Sequence, residues 1–146
     1  MENIKGIAGR CLNCRLPGCV NNCPCGNRIN EILSAVKVGD EGKAVEILYS
    51  TNPFPLLTSP LCDHARQCRG HCVFVRRGNP IDFPSVERCL GQAYPFPYVP
   101  KDGALGKVAI IGAGPASLSA AHFLINGGFA VEIYEKNASI GGAIST

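Results

Sequence analysis

The sequence predicts two folds in series: a small α-helical domain built around cysteine-rich loops, then one βαβ unit opening an α/β nucleotide-binding domain. Three observations carry this. Most of the nine cysteines fall into two close groups set among Gly, Pro and Asn. Between and after those groups, apolar residues recur at helical spacing. Past a proline-rich stretch the chain reads strand, glycine turn, helix, strand.

The first group runs from Cys11 to Cys25 with spacing C-x2-C-x4-C-x3-C-P, and one more Cys directly after the Pro. Thiols this dense, in turn-forming sequence, make no hydrophobic core and read as metal ligands. Close cysteines followed by a more distant one beside Pro are similar to iron–sulfur sequences, in which that last Cys often serves a different cluster. Pro24 disfavours helical geometry at Cys23. The second group, Cys62, Cys68 and Cys72, has spacing C-x5-C-x3-C. With Cys25 set aside, the two groups fall one thiolate short of two four-ligand sites.

Composition excludes several classes. An odd cysteine count and no apolar N-terminal segment argue against a disulfide-stapled secreted domain, and for metal-bound thiolates in a reducing cytoplasm. No apolar run reaches transmembrane length. The net charge is only +3. Every Arg lies between Arg10 and Arg88, and several adjoin a Cys, where a cation offsets the negative charge of a thiolate cluster. They are not interleaved with stacking aromatics, so no nucleic-acid partner is expected.

In chain order, residues 1–10 carry no strong signal. Asn27 to Val38 reads as a helix with Ile29, Ile32, Leu33 and Val36 on one face and Gly39 at its end. Asp40 caps a second helix carrying Ala44, Ile47 and Leu48, stopped by Asn52-Pro53-Phe54-Pro55. The short connection makes the two an antiparallel pair. Ser59 is expected to cap a short helix from Pro60 to about Arg69, and another runs from Asp82 or Ser85 to Ala93. Three prolines between Tyr94 and Pro100 place an extended linker at 94–106, dividing a helical domain (1–93) from a nucleotide-fold segment (107–146).

In that segment, Lys107 to Gly112 is a short buried strand, Pro115 to Asn126 a helix, and Ala130 to Glu135 a parallel second strand. Gly112-Ala-Gly114-Pro115-Ala-Ser117 occupies the dinucleotide fingerprint position. Gly112 allows the tight turn, Gly114 the close approach of a pyrophosphate, and Ser117 stands where a third Gly or Ala is usual. Glu135, ending the second strand, is placed to accept hydrogen bonds from a ribose. Gly141 and Gly142 resemble the second glycine pair of FAD-binding proteins. One βαβ unit is about half of such a fold, so the segment reads as the opening of a longer flavoprotein.

Taken together, these motifs resemble the N-terminal region of the NADPH-dependent glutamate synthase small (beta) subunit family. The same iron–sulfur module opens dihydropyrimidine dehydrogenase and related electron-distributing flavoproteins. The carriers are the two cysteine groups, Asn52-Pro53-Phe54-Pro55, Pro80-Ile81 followed by Val86-Glu87-Arg88, and Val108 to Pro115. The resemblance covers nearly the whole chain. It implies an α-helical domain holding two 4Fe–4S clusters, with Cys11, Cys14, Cys19 and Cys72 on one. Cys23, Cys62 and Cys68 hold the other with a non-Cys fourth ligand. It also implies FAD, NADPH, and single electrons passed to a large partner subunit where glutamate forms. On this reading the whole protein is an oxidoreductase and this chain alone is inactive. Residues 59–61 and Asp63 depart from the family pattern around Cys62, and Cys25 and Cys89 are additional.

Two lines of reasoning compete for the fourth ligand. Family alignment on Pro80-Ile81 selects Glu87. Helical periodicity groups Val86, Cys89, Leu90 and Ala93 on one apolar face and selects Cys89. The two lie about 200° apart on a helix of about 3.6 residues per turn, so they exclude one another; Glu87 is the preferred choice. Two alternatives to the functional reading stand: an electron-distributing subunit of dihydropyrimidine dehydrogenase or transhydrogenase type, and a zinc module, which the single C-x2-C pair disfavours. His64 and His71 flank cluster cysteines as possible donors to sulfur; His122 has no assigned role.

Overall fold

The computed structural model describes residues 4–95 and 103–145. The chain divides into two compact units, residues 1–96 and 97–146. Part of the expected linker, residues 96–102, lies outside the described residues. Its described ends belong to the units beside them. The Tyr94 carbonyl accepts from the Tyr49 hydroxyl at 2.9 Å and the Tyr94 hydroxyl donates to Glu41 at 2.7 Å. On the other side, Ala104 bridges Phe129.

The first unit is all-helical among its described residues. It contains α1 (Ile4–Gly9), α2 (Gly18–Asn21), α3 (Ile29–Val38), α4 (Glu41–Tyr49), α5 (Pro55–Leu61) and α6 (Phe83–Ala93). The α3/α4 pair forms as its periodicity predicts. Ile29, Ile32, Leu33 and Val36 meet Ala44, Ile47 and Leu48, all buried, and each full Ile or Leu burial is worth about 1.5–3 kcal/mol. Gly39, at φ +85°, ends α3 in a Schellman motif, with Gly39 N–H on the Val36 carbonyl and Asp40 N–H on that of Ala35. The Asp40 carboxylate then accepts from Lys43 N–H at 2.9 Å and starts α4.

Three differences from the sequence reading have physical causes. Helix α1, unread in the sequence, exists because Ile4 and Ala8, one turn apart, bury into the same core. A helix from Pro60 to Arg69 does not form. Asn52 Oδ1 accepts from Phe54 N–H at 3.0 Å, Pro55 takes the first helical position, and the helix therefore starts a turn early. Cys62, at φ −67° and ψ 143°, ends it in extended geometry, and residues 62–74 follow in irregular turns. Ser59 is thus a buried helix residue rather than a cap.

The third difference is the face α6 presents. Phe83, Val86, Glu87, Leu90 and Gly91 are buried, Cys89 is half-buried and Ala93 exposed. Helix α5 sets this rotation: a Cβ on Gly91 would lie 2.9 Å from Pro55 Cγ and 3.2 Å from Leu56 Cδ2. The close approach of α5 turns Glu87 into the interior.

In the second unit, β1 (Lys107–Ile111) and β2 (Ala130–Tyr134) pair in parallel, Lys107 opposite Ala130 and Ile111 opposite Tyr134. Helix α7 (Pro115–Gly127) connects them. The first strand, expected to be buried, is not: Ile111 is exposed, as are Ile133 and Tyr134 on β2. Parallel strands are normally covered on both faces, and one helix against two strands covers too little.

Candidate metal centres and nucleotide loop

Two cavities in the helical unit are lined by cysteine. The larger is bounded by Cys11, Cys14, Cys19, Cys72, Cys68 and His71, with an apolar floor that includes Ile29, Leu33 and Phe83. The smaller is bounded by Cys23, Cys25, Cys62, Cys68, Glu87 and His64. The structure therefore brings together Cys11, Cys14, Cys19 and Cys72 in one place, and Cys23, Cys62, Cys68 and Glu87 in another. Cys68 and Phe83 line both cavities, so a single wall separates them. Cys89 lines neither; it packs against the core as a small apolar residue.

Local structure explains each placement. Cys11 follows α1, its N–H bonded to the Ala8 carbonyl. Between Cys11 and Cys14 the chain turns through Asn13 at φ +48°, a conformation Asn tolerates, and the Asn13 side chain accepts from Asn30 on α3 at 3.1 Å. Cys19 sits on α2. There Gly18 lets the chain pass the His71 carbonyl, 2.7 Å from where a Cβ would stand, and this close pass draws Cys19 and Cys72 together. Cys23-Pro24-Cys25-Gly26 is a turn closed by Gly26 N–H on the Cys23 carbonyl at 3.0 Å, with Pro at its favoured second position.

Glu87 is the most informative residue. It is 2% exposed, yet among the described residues it forms no ion pair. Its Oε1 accepts from Asn27 Nδ2 at 3.1 Å, Asn52 Nδ2 at 2.7 Å and the Thr58 hydroxyl at 3.0 Å. Burial nevertheless pushes its carboxyl up to about 7, against the opposing effect of those three bonds. A buried carboxylate without a cation is expensive, and this one shares its cavity with four sulfurs. Sequence reasoning missed the cradle of Asn27, Asn52 and Thr58. The only signal was the unexplained Asn52-Pro53-Phe54-Pro55 motif.

The thiols perturb one another mainly within each set, and Cys68 also feels Cys19 of the other set. Burial pushes Cys19 up to about 11, with Cys11 and Cys72 adding to it. Burial likewise raises Cys68 to about 12, with Cys23 next in effect, and raises Cys62, with Glu87 and Cys23 adding. Cys23 alone is lowered, to about 6, chiefly by the neighbouring thiol of Cys25. Thiols packed this closely disfavour one another's charge, and a bound cation relieves that. Among the described residues no three Cys, His, Asp or Glu side chains converge closely enough for a single metal ion; the sulfurs are distributed around cavity walls. Thiols with one carboxylate are donors of the type that iron–sulfur clusters take.

Of the two histidines expected beside sulfur, His64 reaches a cluster cysteine and His71 bonds a carbonyl. His64 Nε2 lies 2.8 Å from the Ser59 carbonyl and its Nδ1 3.6 Å from Cys68 Sγ. His71 commits Nδ1 to the Gln67 carbonyl at 2.8 Å. His122 pairs with Asn126 on α7 at 3.1 Å. Arg10 donates to the Asn79 carbonyl at 2.6 Å and stacks on Phe74, and Arg69 faces Asp82 at 3.9 Å.

In the second unit the fingerprint residues form one connected loop. Gly112 turns at φ +89° and Gly114 precedes Pro115 at the start of α7, where Ser117 lies in the first turn. Glu135 accepts from Ala113 N–H at 2.8 Å and from Asn137 N–H at 2.9 Å, and these backbone donors, Asn137 first, hold its carboxyl below the usual range. Gly141 N–H donates to the Ala113 carbonyl at 2.8 Å, and a Cβ on Gly142 would stand 3.3 Å from Gly114 Cα. The glycine pair therefore folds against the fingerprint turn, which backbone without side chains permits.

Comparison with known proteins agrees with this division. Residues 1–94 match the family described as dihydropyrimidine dehydrogenase domain II, 4Fe-4S cluster, and residues 110–146 match the NAD(P)-binding Rossmann-like domain. Over 148 residues the chain is 33% identical to the glutamate synthase [NADPH] small chain of Mycobacterium tuberculosis, covering 98% of this chain and 30% of that protein. It is 34% identical to the putative oxidoreductase AegA of Escherichia coli, over 99% of this chain and 23% of that one. It is 33% identical to the NAD-dependent dihydropyrimidine dehydrogenase subunit PreT of Escherichia coli, over 92% and 34%. The chain thus spans about a third or less of the length of these relatives.

Proposed function

This chain belongs to the dihydropyrimidine dehydrogenase domain II 4Fe-4S family, and from that premise we propose that it is the electron-transfer module of an NADPH-dependent flavin and iron–sulfur oxidoreductase of the glutamate synthase small-subunit type. One 4Fe–4S cluster is held by Cys11, Cys14, Cys19 and Cys72, the other by Cys23, Cys62, Cys68 and Glu87. The observation that carries this is the pair of adjoining cavities, each lined by one of these sets. Glu87 is preferred to Cys89 as the fourth ligand because it is buried in the second cavity, with Oε1 committed to three donors and Oε2 to none of them. Zinc is disfavoured because distributed sulfurs do not suit one tetrahedral ion.

Bound in these sites, the clusters carry single electrons. The chain's own residues hold them adjacent, across a wall of Cys68 and Phe83, and exclude water with Ile29, Leu33 and Phe83. The Gly112–Ser117 turn and the α7 N-terminus offer backbone N–H groups to the phosphates of FAD. Glu135, ordered by two amides, would accept hydrogen bonds from its ribose. NADPH supplies hydride in the full-length protein, and the acceptor is a large glutamate-synthase-type subunit. The similarity to PreT supports a pyrimidine-reducing partner as the second reading.

An anaerobic reductive titration tests this. The brown protein should bleach as it takes up one electron per cluster. Cys89→Ala should keep its full iron while Cys62→Ala does not. A colourless, zinc-containing protein overturns the proposal.

A further inference from the structure

The second cavity holds one more ligand than a cluster needs. Cys23, Cys25, Cys62, Cys68 and Glu87 all line it, and a 4Fe–4S cluster takes four protein ligands. We infer that Cys25 is a reserve thiolate for the fourth coordination position of the second cluster, exchanging there with Glu87. This rests on the cluster assignment proposed above.

Three features place Cys25 in that role. The turn Cys23-Pro24-Cys25-Gly26 keeps Cys25 on the cavity that Cys23 lines, and the turn is closed by the 3.0 Å bond from Gly26 N–H to the Cys23 carbonyl. Cys25 lines the same cavity as Cys23, Cys62, Cys68 and Glu87. It therefore stands among the ligands of one cavity, whereas Cys89 lines neither.

The second feature is room to move. Gly26, at φ +67°, has nothing within 4 Å of a Cβ position, so the end of the turn next to Cys25 borders open space. The third is the character of Glu87. Three donors hold its Oε1, leaving one oxygen for iron, and a carboxylate is the harder ligand beside the softer thiolate that iron–sulfur sites favour. In the exchange one Fe–O bond to Glu87 breaks and one Fe–S bond to Cys25 forms. The Cys25 proton passes to the released carboxylate, so iron changes neither oxidation state nor net ligand charge.

The test uses the anaerobically purified holoprotein, with iron and sulfide counted per chain and EPR spectra taken oxidised and reduced. Glu87→Gln is the informative variant, because its amide oxygen still accepts from Asn27, Asn52 and Thr58 and so preserves the cradle. It should keep the full iron count while the EPR signal of the second cluster changes. Adding Cys25→Ala to it should remove one iron and produce a 3Fe–4S signal. A 3Fe–4S signal from Glu87→Gln alone, full iron in the double variant, or iron loss from Cys25→Ala alone each overturns the reserve role. A wild-type protein without clusters overturns the underlying assignment instead.

Discussion

Replacing Asn52 with Ala tests whether the buried amide cradle supports the second metal site. Asn52 is 2% exposed. Its Nδ2 donates to Glu87 Oε1 and to the Thr58 hydroxyl, both at 2.7 Å, and its Oδ1 accepts from Phe54 N–H at 3.0 Å. Loss of the bond to a carboxylate removes about 1.5–3 kcal/mol. Loss of the Asx-turn bond ahead of α5 removes about 1 kcal/mol, the typical net value of an intramolecular hydrogen bond. The sum is about 3 kcal/mol, and every 1.4 kcal/mol is about tenfold in an equilibrium constant. Iron release from the second cluster to a chelator should therefore accelerate by up to about a hundredfold, while the first cluster changes little. Asn52→Asp separates the contributions, since it keeps an acceptor for Phe54 and sets a second carboxylate against Glu87. Its α5 should persist by circular dichroism while the second cluster is lost faster still. An Asn52→Ala protein whose two clusters release iron at wild-type rates would refute the cradle.

Other perturbations separate the two centres and the nucleotide loop. Gly18→Ala puts a Cβ 2.7 Å from the His71 carbonyl; overpacking against backbone costs about 1–3 kcal/mol, and the first cluster should be the labile one by iron release. Gly91→Val drives a larger side chain into Pro55 and Leu56, so it should lower the unfolding midpoint and weaken the second site through Glu87. Gly142→Ala forces φ +56° on a residue with a Cβ against Gly114, and the Gly141 amide should exchange faster by hydrogen exchange. Removal of iron should raise exchange over residues 10–26 and 58–76, where the cysteine loops carry little regular structure, while α3 and α4 stay protected.

Much of this was legible because it rests on short-range pattern. The α3/α4 pair shows in the spacing of Ile29, Ile32, Leu33 and Val36, and the βαβ unit in its glycine turn between two β-branched runs. The membership of each cavity came from resemblance, since residues as distant as Cys11 and Cys72 meet only through the fold. What stayed hidden depends on tertiary contact. The face of α6 is set by α5 pressing on Gly91, so periodicity within α6 wrongly turned Ala93 inward and passed over Glu87, while Cys89 does pack half-buried against the core. The start of α5 depends on a side-chain bond from Asn52 rather than on Ser59-Pro60. Asn27, Asn52 and Thr58 look like loop and turn residues until Glu87 is seen among them.

Two adjoining 4Fe–4S clusters with separate ligand sets are proposed for this chain, and paired substitutions test them most directly. Iron and sulfide analysis with EPR on anaerobically purified wild type, Cys72→Ala and Cys68→Ala should show two clusters in the first. Cys72→Ala should retain the second cluster's spectrum and lose or degrade the first, and Cys68→Ala should do the opposite. Stoichiometric zinc, a single cluster in wild type, or the same cluster lost in both variants would contradict the account.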